Sequence, residues 1–197
     1  MAHIGIFLDR DGTINEELDF LASPKKLRLI PRSADAIREA NSMHARVFII
    51  TNQSGIARGI LTEQQLSKIH RTLVLKLEGH NAHIDAIYYC PHHPDFGDPP
   101  YRVDCTCRKP NTGMLAQAAK DFDIDLKRSF VIGDRLIDIQ TGQSIGATSI
   151  LVLTGYGKQE LQLCQQANVS VDHVADDLYD AVQHVKCVVQ LEQPTPS

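Results

Sequence analysis

Short runs of apolar and β-branched residues recur along the chain, and polar or turn-forming residues bound each of them. Runs of this kind are typical of strands that are buried on both faces of a parallel sheet. They predict strands at residues 4–8, 47–51, 84–89, 130–132, 148–153 and 171–175.

Between several of these runs, apolar residues recur three or four positions apart, as they do on one face of a helix. The clearest case is residues 62–78, which open with the capping-box pattern of Thr62 and Gln65. The same spacing predicts a helix at 177–189 and, from weaker patterns, helices at 32–43 and 112–122. The alternation of strands and helices predicts an α/β fold with a mostly parallel sheet.

The segment from residue 90 to residue 110 breaks this alternation. It contains five prolines and no regular period, and it is longer than an ordinary connection between elements. Its thiols and one imidazole match a closed tetrahedral zinc site of the Cys3His type, with the candidate ligands Cys90, His92, Cys105 and Cys107. His93 is the alternative histidine ligand. Because the segment has no apolar core of its own, we predict that a structural Zn²⁺ pins it, rather than that the four side chains are unliganded.

The composition is that of an ordinary globular protein. Hydrophobic residues make up 43% and charged residues 22% of the 197 residues, which excludes disorder as the main state. This length suits one domain. We predict a single domain over residues 1–190, including the zinc loop at 90–110, and a disordered tail at residues 191–197.

Charge and apolar run length limit the partners that we expect. The 20 Lys and Arg residues against 24 Asp and Glu residues leave a formal net charge of −4, which argues against a nucleic-acid partner. The longest apolar runs are short strands, and the N-terminus has no basic and apolar signal pattern. We therefore expect no membrane partner, a cytoplasmic location and cysteines without disulfides. We also expect a monomer, because no amphipathic surface is left over.

Two carboxylates follow the first predicted strand directly, at Asp9 and Asp11. If the chain stays extended, a spacing of two residues points both side chains the same way. Ligands bind at the carboxyl ends of strands in open α/β sheets, and two adjacent carboxylates favour a nearby cation. One aspartate could take up a phosphoryl group, and the second could act as general acid and base.

Polar groups also follow two other predicted strands. Residues 51–54 read Thr-Asn-Gln-Ser, whose hydroxyls and amides can hold phosphate oxygens without adding charge. Asp134 follows the strand at 130–132 and suits a hard divalent cation. Asp138 could orient the metal ligands from one helical turn away.

A basic pair, Arg108 and Lys109, precedes the helix predicted at 112–122 and suits anion binding. Each of these motifs alone could be an ordinary polar loop, a helix N-cap or a solvated basic pair. Together they supply a nucleophile, an acid/base group, a hydroxyl, a cation and a metal carboxylate in an order that one active site can use.

The motifs FLDRDGT, IITNQSG, RKP and GDRxxD resemble those of the haloacid dehalogenase-like phosphohydrolases, from Ile4 to about Gly157. Within that superfamily, NQSGIARG, YYCPHHP and CxCRKPxxGML are similar to the group that contains heptose-bisphosphate and histidinol phosphatases. This resemblance implies a Rossmann-like, doubly wound sheet with helices on both faces and no large cap domain. It also implies Mg²⁺-dependent hydrolysis of a small phosphorylated sugar through an aspartyl phosphate.

The resemblance further implies a role for each matched residue. Asp9 is the nucleophile and a Mg²⁺ ligand, Asp11 is the general acid/base and offers the metal its backbone carbonyl, and Asp134 completes the ligands. Thr51 and Lys109 steady the phosphoryl group. The substrate would meet Glu17, Leu18, Asp19, Phe20, Asn52, Gln53, Ser54, Arg108 and Arg135, and Zn²⁺ would be held by Cys90, His92, Cys105 and Cys107.

The substrate has two candidates at this point. The segments quoted above favour a heptose bisphosphate, a precursor of nucleotide-activated heptose. Arg135 favours histidinol phosphate or another small ester, because the heptose enzymes often have lysine at the matching position. A non-catalytic, zinc-stabilised binding protein is a third possibility, but such a protein has no need for both Asp9 and Asp11.

Overall fold

Six parallel strands form the central sheet in the computed structural model, which describes residues 2–191. Every pairing between neighbouring strands is parallel, and the order across the sheet is β3-β2-β1-β4-β5-β6. The strands are β1 (Gly5–Leu8), β2 (Arg46–Asn52), β3 (Ala86–Cys90), β4 (Phe130–Gly133), β5 (Thr148–Val152) and β6 (His173–Ala175).

Helices connect these strands and confirm the predicted α/β class. They are α1 (Ser33–Ser42), α2 (Glu63–Glu78), α3 (Gly113–Phe122), α4 (Leu136–Ser144), α5 (Gly157–Gln166) and α6 (Leu178–Leu191). The capping box at the start of α2 is confirmed, since Thr62 and Gln65 exchange side-chain-to-backbone hydrogen bonds of 2.7 and 3.2 Å. The sequence analysis did not predict α4 and α5, because both are short and rich in Gln, Gly and other polar residues.

The alternation of side chains along the strands builds a core on each face of the sheet. Ile6 and Leu8 of β1 lie in one core with apolar residues of α1, α2 and α6. Phe7 points to the other face and stacks on Phe48 at a ring-centroid distance of 5.1 Å, next to Met114 of α3. The helices therefore cover both faces, as the Rossmann-like prediction requires, and residues 2–191 contain no separate cap domain.

The strand order reverses between β1 and β4, which places a ligand-binding crevice at their carboxyl ends. The chain leaves β1 at Asp9, whose backbone N–H still donates to the carbonyl of Ile132 at 2.9 Å. Asp9 is thereby held at the switch point by two neighbouring strands.

The segment between β3 and α3, residues 91–112, has neither helix nor strand, as predicted for the zinc loop. Leu191, the first residue of the predicted tail, ends α6. The rest of that tail lies outside the described residues. Among the helices within residues 2–191, none combines the length and the apolar character needed to cross a lipid bilayer.

Candidate active site

A buried lysine lies between two carboxylates at the carboxyl end of the sheet. Lys109 Nζ is 2.6 Å from Asp9 Oδ1 and 2.6 Å from Asp138 Oδ1. It also donates to the backbone carbonyl of Ile50 at 2.8 Å. The lysine side chain is 1% exposed, so its charge interacts with these groups at low effective dielectric. Three elements far apart in the sequence therefore converge on one ammonium group.

Burial and charge shift the pKa values of this group strongly. Burial, with help from the Asp138 charge, raises the pKa of Asp9 to about 7 although Lys109 opposes the shift. Burial alone would lower the pKa of Lys109, but Asp138 and Asp9 outweigh it and raise the pKa overall. Lys109 thus keeps its positive charge, and the carboxylates of Asp9 and Asp138 share it as their partner.

Removing this cation should destabilise the fold. Lys109→Met leaves Asp9 and Asp138 buried without a counter-charge, and breaking a buried pair in this way costs about 3–5 kcal/mol. We expect that loss in the free energy of unfolding, measured by urea titration without added Mg²⁺. Lys158→Met is the matched control, because Lys158 is exposed on α5. Equal stability of the two variants would show that Lys109 does not compensate the acids.

Asp134 lies in a tight backbone cage beside this pair. Its Oδ2 accepts a hydrogen bond from the backbone N–H of Tyr156 at 2.8 Å. A Cβ on Gly12 or on Gly155 would come within 2.1 or 2.2 Å of the same oxygen, and both glycines have positive φ. Only glycine satisfies both conditions at these positions.

The acidic cluster fits a divalent cation. Ligand oxygens of Asp9, Asp134 and Asp138 lie within 4.8 Å of one another, and Lys109 is the ammonium paired with two of them. Asp134 Oδ1 is buried without a hydrogen-bond partner, and burial together with Asp9 raises the pKa of Asp134 to about 8. A bound cation would offset both effects, and carboxylate oxygens are the donors that Mg²⁺ prefers.

Asp11 is not part of this acidic cluster, and four donor atoms from three residues surround its carboxylate. Arg10 donates to both oxygens at 2.5 and 3.1 Å, and Asn15 and Gln53 each donate once, at 2.8 and 3.0 Å. Burial would raise the pKa of Asp11, but Arg10 and these hydrogen bonds lower it overall. The side chain is 18% exposed and lines the cleft, so it can reach a bound substrate. The ionised form that these donors favour is the one that acts as a base.

The hydroxyl and the amides at the end of β2, on Thr51, Asn52 and Gln53, make different contacts. Gln53 Nε2 donates to Thr51 Oγ1 at 2.9 Å as well as to Asp11. Thr51 therefore keeps its own proton free to donate. Asn52 makes two hydrogen bonds with the backbone of Lys109, of 3.0 and 3.1 Å, so its amide positions Lys109. Asn52 also lines the cleft, so its predicted contact with the substrate stays a prediction.

The predicted substrate residues line one cleft of about 270 Å³, with Leu18 as the exception. Leu18 is 41% exposed and lies outside that lining, because Asp19, with φ of 56°, turns the chain at this point. The predicted residues that line the cleft are Glu17, Asp19, Phe20, Asn52, Gln53, Ser54, Arg108 and Arg135.

Two polar side chains of the cleft region were not predicted as site residues. Arg58 lines the cleft, and its guanidinium stacks on Phe96 at 3.6 Å and lies 5.9 Å from Phe20. Tyr156 donates to Asp19 at 2.6 Å and stacks under Arg135 at 4.3 Å. Neither has a motif of its own, although Arg58 lies within the quoted NQSGIARG segment. Asp138 was predicted to orient metal ligands, and in the structure it pairs with Lys109.

Three thiols and one imidazole meet at the end of β3. The sulfur atoms of Cys90, Cys105 and Cys107 lie 3.1–3.5 Å apart, and His92 Nδ1 is 3.3 Å from Cys107 Sγ. These distances are too long for disulfides, at about 2.05 Å, and close to the edge of about 3.8 Å of a tetrahedron with Zn–S bonds of 2.3 Å. His93 instead accepts from the backbone of Asp95, so the geometry selects His92.

The same loop carries the basic pair into the site. Asn111 donates to the carbonyl of Cys105 at 2.8 Å, and Arg108 donates to the carbonyl of His92 at 3.4 Å. Lys109 follows immediately and is tied to β2 through Asn52. Any ion that holds the thiols together therefore also fixes the position of Lys109.

Known proteins are similar to this chain over most of its length. A Chlorobaculum tepidum protein named D-glycero-D-manno-heptose-1,7-bisphosphate 7-phosphatase is 43% identical over 183 residues, which cover 90% of this chain and 91% of that protein. This chain belongs to the heptose-bisphosphate phosphatase family. The profile of the HAD-hydrolase-like family matches residues 106–181, which agrees with the resemblance derived from the motifs.

Other members of the family support the same assignment. The Escherichia coli K12 protein named D-glycero-beta-D-manno-heptose-1,7-bisphosphate 7-phosphatase is 37% identical over 182 residues, or 92% of this chain and 93% of that protein. The crystal structure of D,D-heptose 1,7-bisphosphate phosphatase from B. bronchiseptica, complexed with magnesium and phosphate, matches with a TM-score of 0.84 at 34% identity. The match covers 94% of this chain and 99% of that one.

Proposed function

We propose that this protein is a Mg²⁺-dependent phosphatase that removes the 7-phosphate of D-glycero-D-manno-heptose 1,7-bisphosphate. Such a reaction belongs to the formation of nucleotide-activated heptose for lipopolysaccharide or S-layer glycans. The observation that carries the proposal is the buried pair of Asp9 and Lys109 at the switch point of the sheet. The family relationship supports the choice of heptose as the sugar of the substrate.

Asp9 is the nucleophile in this proposal. Lys109 engages Oδ1, which leaves Oδ2 to attack phosphorus. As the new bond forms, the phosphorus–oxygen bond to the sugar breaks. Asp11, which first takes up a proton from solvent, gives that proton to the departing oxygen. Asp11 then takes a proton from water, which attacks phosphorus, releases phosphate and regenerates Asp9.

Fixed hydrogen-bond donors stabilise the negative charge on the phosphoryl group during its transfer. Lys109 is an ammonium that does not have to move, and the Thr51 hydroxyl keeps its proton for a phosphoryl oxygen. Such preorganised charge is the main source of catalysis in phosphoryl transfer. Asp9, Asp134 and the backbone carbonyl of Asp11 would hold Mg²⁺, which would neutralise further negative charge on the phosphoryl oxygens.

The cleft offers separate places for the rest of the substrate. Arg58 and Arg108 also line it, and their guanidinium groups suit the second phosphate. Glu17 and Asp19 can accept hydrogen bonds from sugar hydroxyls. We propose that the substrate is the main partner, that the protein acts as a monomer in the cytoplasm, and that Zn²⁺ on Cys90, His92, Cys105 and Cys107 is structural.

Histidinol phosphate remains the competing substrate. It lacks a second phosphate, so it would leave the guanidinium of Arg58 or Arg108 without an anion. Glu17 lies 4.0 Å from Arg135 and Asp19 accepts one hydrogen bond from Tyr156. Their oxygens can still accept from sugar hydroxyls, but Arg135 offsets part of the negative charge that an ammonium group would need. These contacts favour the bisphosphate over an ammonium-bearing substrate.

The two substrates can be compared directly. With Mg²⁺ present, kcat/KM for the heptose bisphosphate should exceed that for L-histidinol phosphate by about 100-fold, as expected for one or two charge-assisted hydrogen bonds. Phosphate release under steady-state conditions measures both values. A higher value for histidinol phosphate would retain the chemistry and overturn the sugar assignment.

A further inference from the structure

Arg10 has no role in the proposed reaction. It lies in the sequence between Asp9 and Asp11, the two aspartates that take part in that reaction. It is fully buried, with 0% exposure, and among residues 2–191 it is the largest side chain to be enclosed so completely. Enclosing a guanidinium costs several kcal/mol unless charge and hydrogen bonds compensate. Its contacts should therefore show what it does.

Those contacts connect the active site to helix α2. Through Nε and Nη2, Arg10 holds both oxygens of Asp11 in a bidentate pair. Its remaining terminal nitrogen, Nη1, lies 3.1 Å from Nε2 of His70. His70 is buried on the face of α2 that packs on the sheet, and its ring lies against Tyr89 with 5.8 Å between centroids.

The contact assigns one form of His70. A guanidinium nitrogen can only donate, so Nε2 of His70 must accept, and its ring must be neutral with the proton on Nδ1. Burial, with the Arg10 charge, lowers the pKa of His70 to about 3, which agrees with that form. His70 thus orients the guanidinium without competing with Asp11 for it.

We propose that His70 is a positioning residue, which acts through Arg10 to hold the Asp11 carboxylate in its orientation toward the cleft. This inference rests on the proposed function, because it needs Asp11 as the general acid. A rigid fork anchored at its far end fixes the plane of the carboxylate, whereas Asn15 and Gln53 each hold a single oxygen. General acid catalysis depends on that orientation.

The leaving group distinguishes positioning from a merely structural role. A sugar or other alkyl phosphate releases a basic alkoxide that needs the proton from Asp11, whereas p-nitrophenyl phosphate releases a stable phenolate that does not. Both kcat/KM values cover the steps up to the first irreversible one, the transfer of the phosphoryl group to Asp9. The change that a variant causes in the ratio of the two kcat/KM values, relative to the wild type, therefore reports protonation of the leaving group.

His70→Leu should lower kcat/KM for an alkyl phosphate by about 10- to 100-fold, part of the range that general acid catalysis supplies. The value for p-nitrophenyl phosphate should change less than about 3-fold. His70→Gln should restore most of the alkyl activity, because its side-chain carbonyl can accept from Arg10. Leu73→Ala, one turn along the same buried face of α2, should lower the thermal midpoint and leave the substrate ratio unchanged.

The outcomes separate this inference from the proposed function. If His70→Leu lowers both activities equally, or if Leu73→Ala changes the ratio in the same way, the positioning role is wrong. An unchanged alkyl activity in His70→Leu overturns it as well. Any alkyl phosphate that the wild-type protein hydrolyses can serve, so failure of the heptose assignment leaves this test intact.

Discussion

Asp9→Asn should abolish phosphatase turnover, with a loss of at least ~10⁴-fold in kcat, the scale seen when a covalent nucleophile is removed. The amide has nearly the same shape as the carboxylate, but it cannot form the acyl phosphate bond. Every other group of the site stays in place, including Lys109 with Asp138. The variant therefore isolates the nucleophile from the electrostatic surroundings.

The measurement is phosphate release from the heptose bisphosphate and from p-nitrophenyl phosphate with Mg²⁺. Asp35→Asn is the matched control, since Asp35 forms a partly exposed ion pair with Arg38 on α1. We expect wild-type activity for this control. Turnover within 10-fold of wild type in Asp9→Asn would refute the assignment of Asp9 and, with it, the aspartyl-phosphate route.

The same variant should fold at least as well as the wild type. Asp9, Asp134 and Asp138 repel one another within the buried cluster, and burial raises the pKa of Asp9 to about 7. Replacing one of the three by a neutral amide removes part of that repulsion, while Lys109 keeps a carboxylate partner. Without added Mg²⁺, the thermal midpoint should be unchanged or higher.

Cys107→Ser should lower the stability of the fold strongly. The Cys107 sulfur lies within 3.3 Å of both other thiols and of His92, so its loss opens the proposed tetrahedral site. A structural zinc site supplies about 10 kcal/mol in isolated zinc-finger peptides. If a third of that is lost here, the thermal midpoint falls by roughly 10 °C.

Activity should fall with stability in this variant, because the loop carries Arg108 and Lys109. Zinc per chain by elemental analysis, the thermal midpoint and phosphate release test the prediction together. Cys187→Ser is the control, since Cys187 is an exposed thiol on α6. Normal stability of Cys107→Ser with no zinc in the wild-type protein would exclude a structural ion at this site.

Local pattern explains why so much of the fold was predictable. Every strand of the structure overlaps a predicted apolar run, because burial on both faces demands such runs. Helices α4 and α5 were missed, since their packing rests on few apolar residues such as Ile139 and Cys164. Tertiary contact decided their conformation.

The sequence by itself determined the α/β class, the six strands and their order along the chain, and the types of polar residue at the strand ends. It also determined the four candidate zinc donors, apart from the choice between His92 and His93. These features depend on periodicity and on residues that are close along the chain, so they can be predicted from the order of the residues.

Only the tertiary structure decided which of these groups meet. Asp9 and Lys109 are 100 positions apart, and Arg10 and His70 are 60 positions apart. The side-chain amide of Asn52 makes hydrogen bonds with the backbone of Lys109, and Leu18 lies outside the cleft lining. No local pattern encodes such contacts, because they arise when strand order and loop geometry bring distant ends of the sheet together.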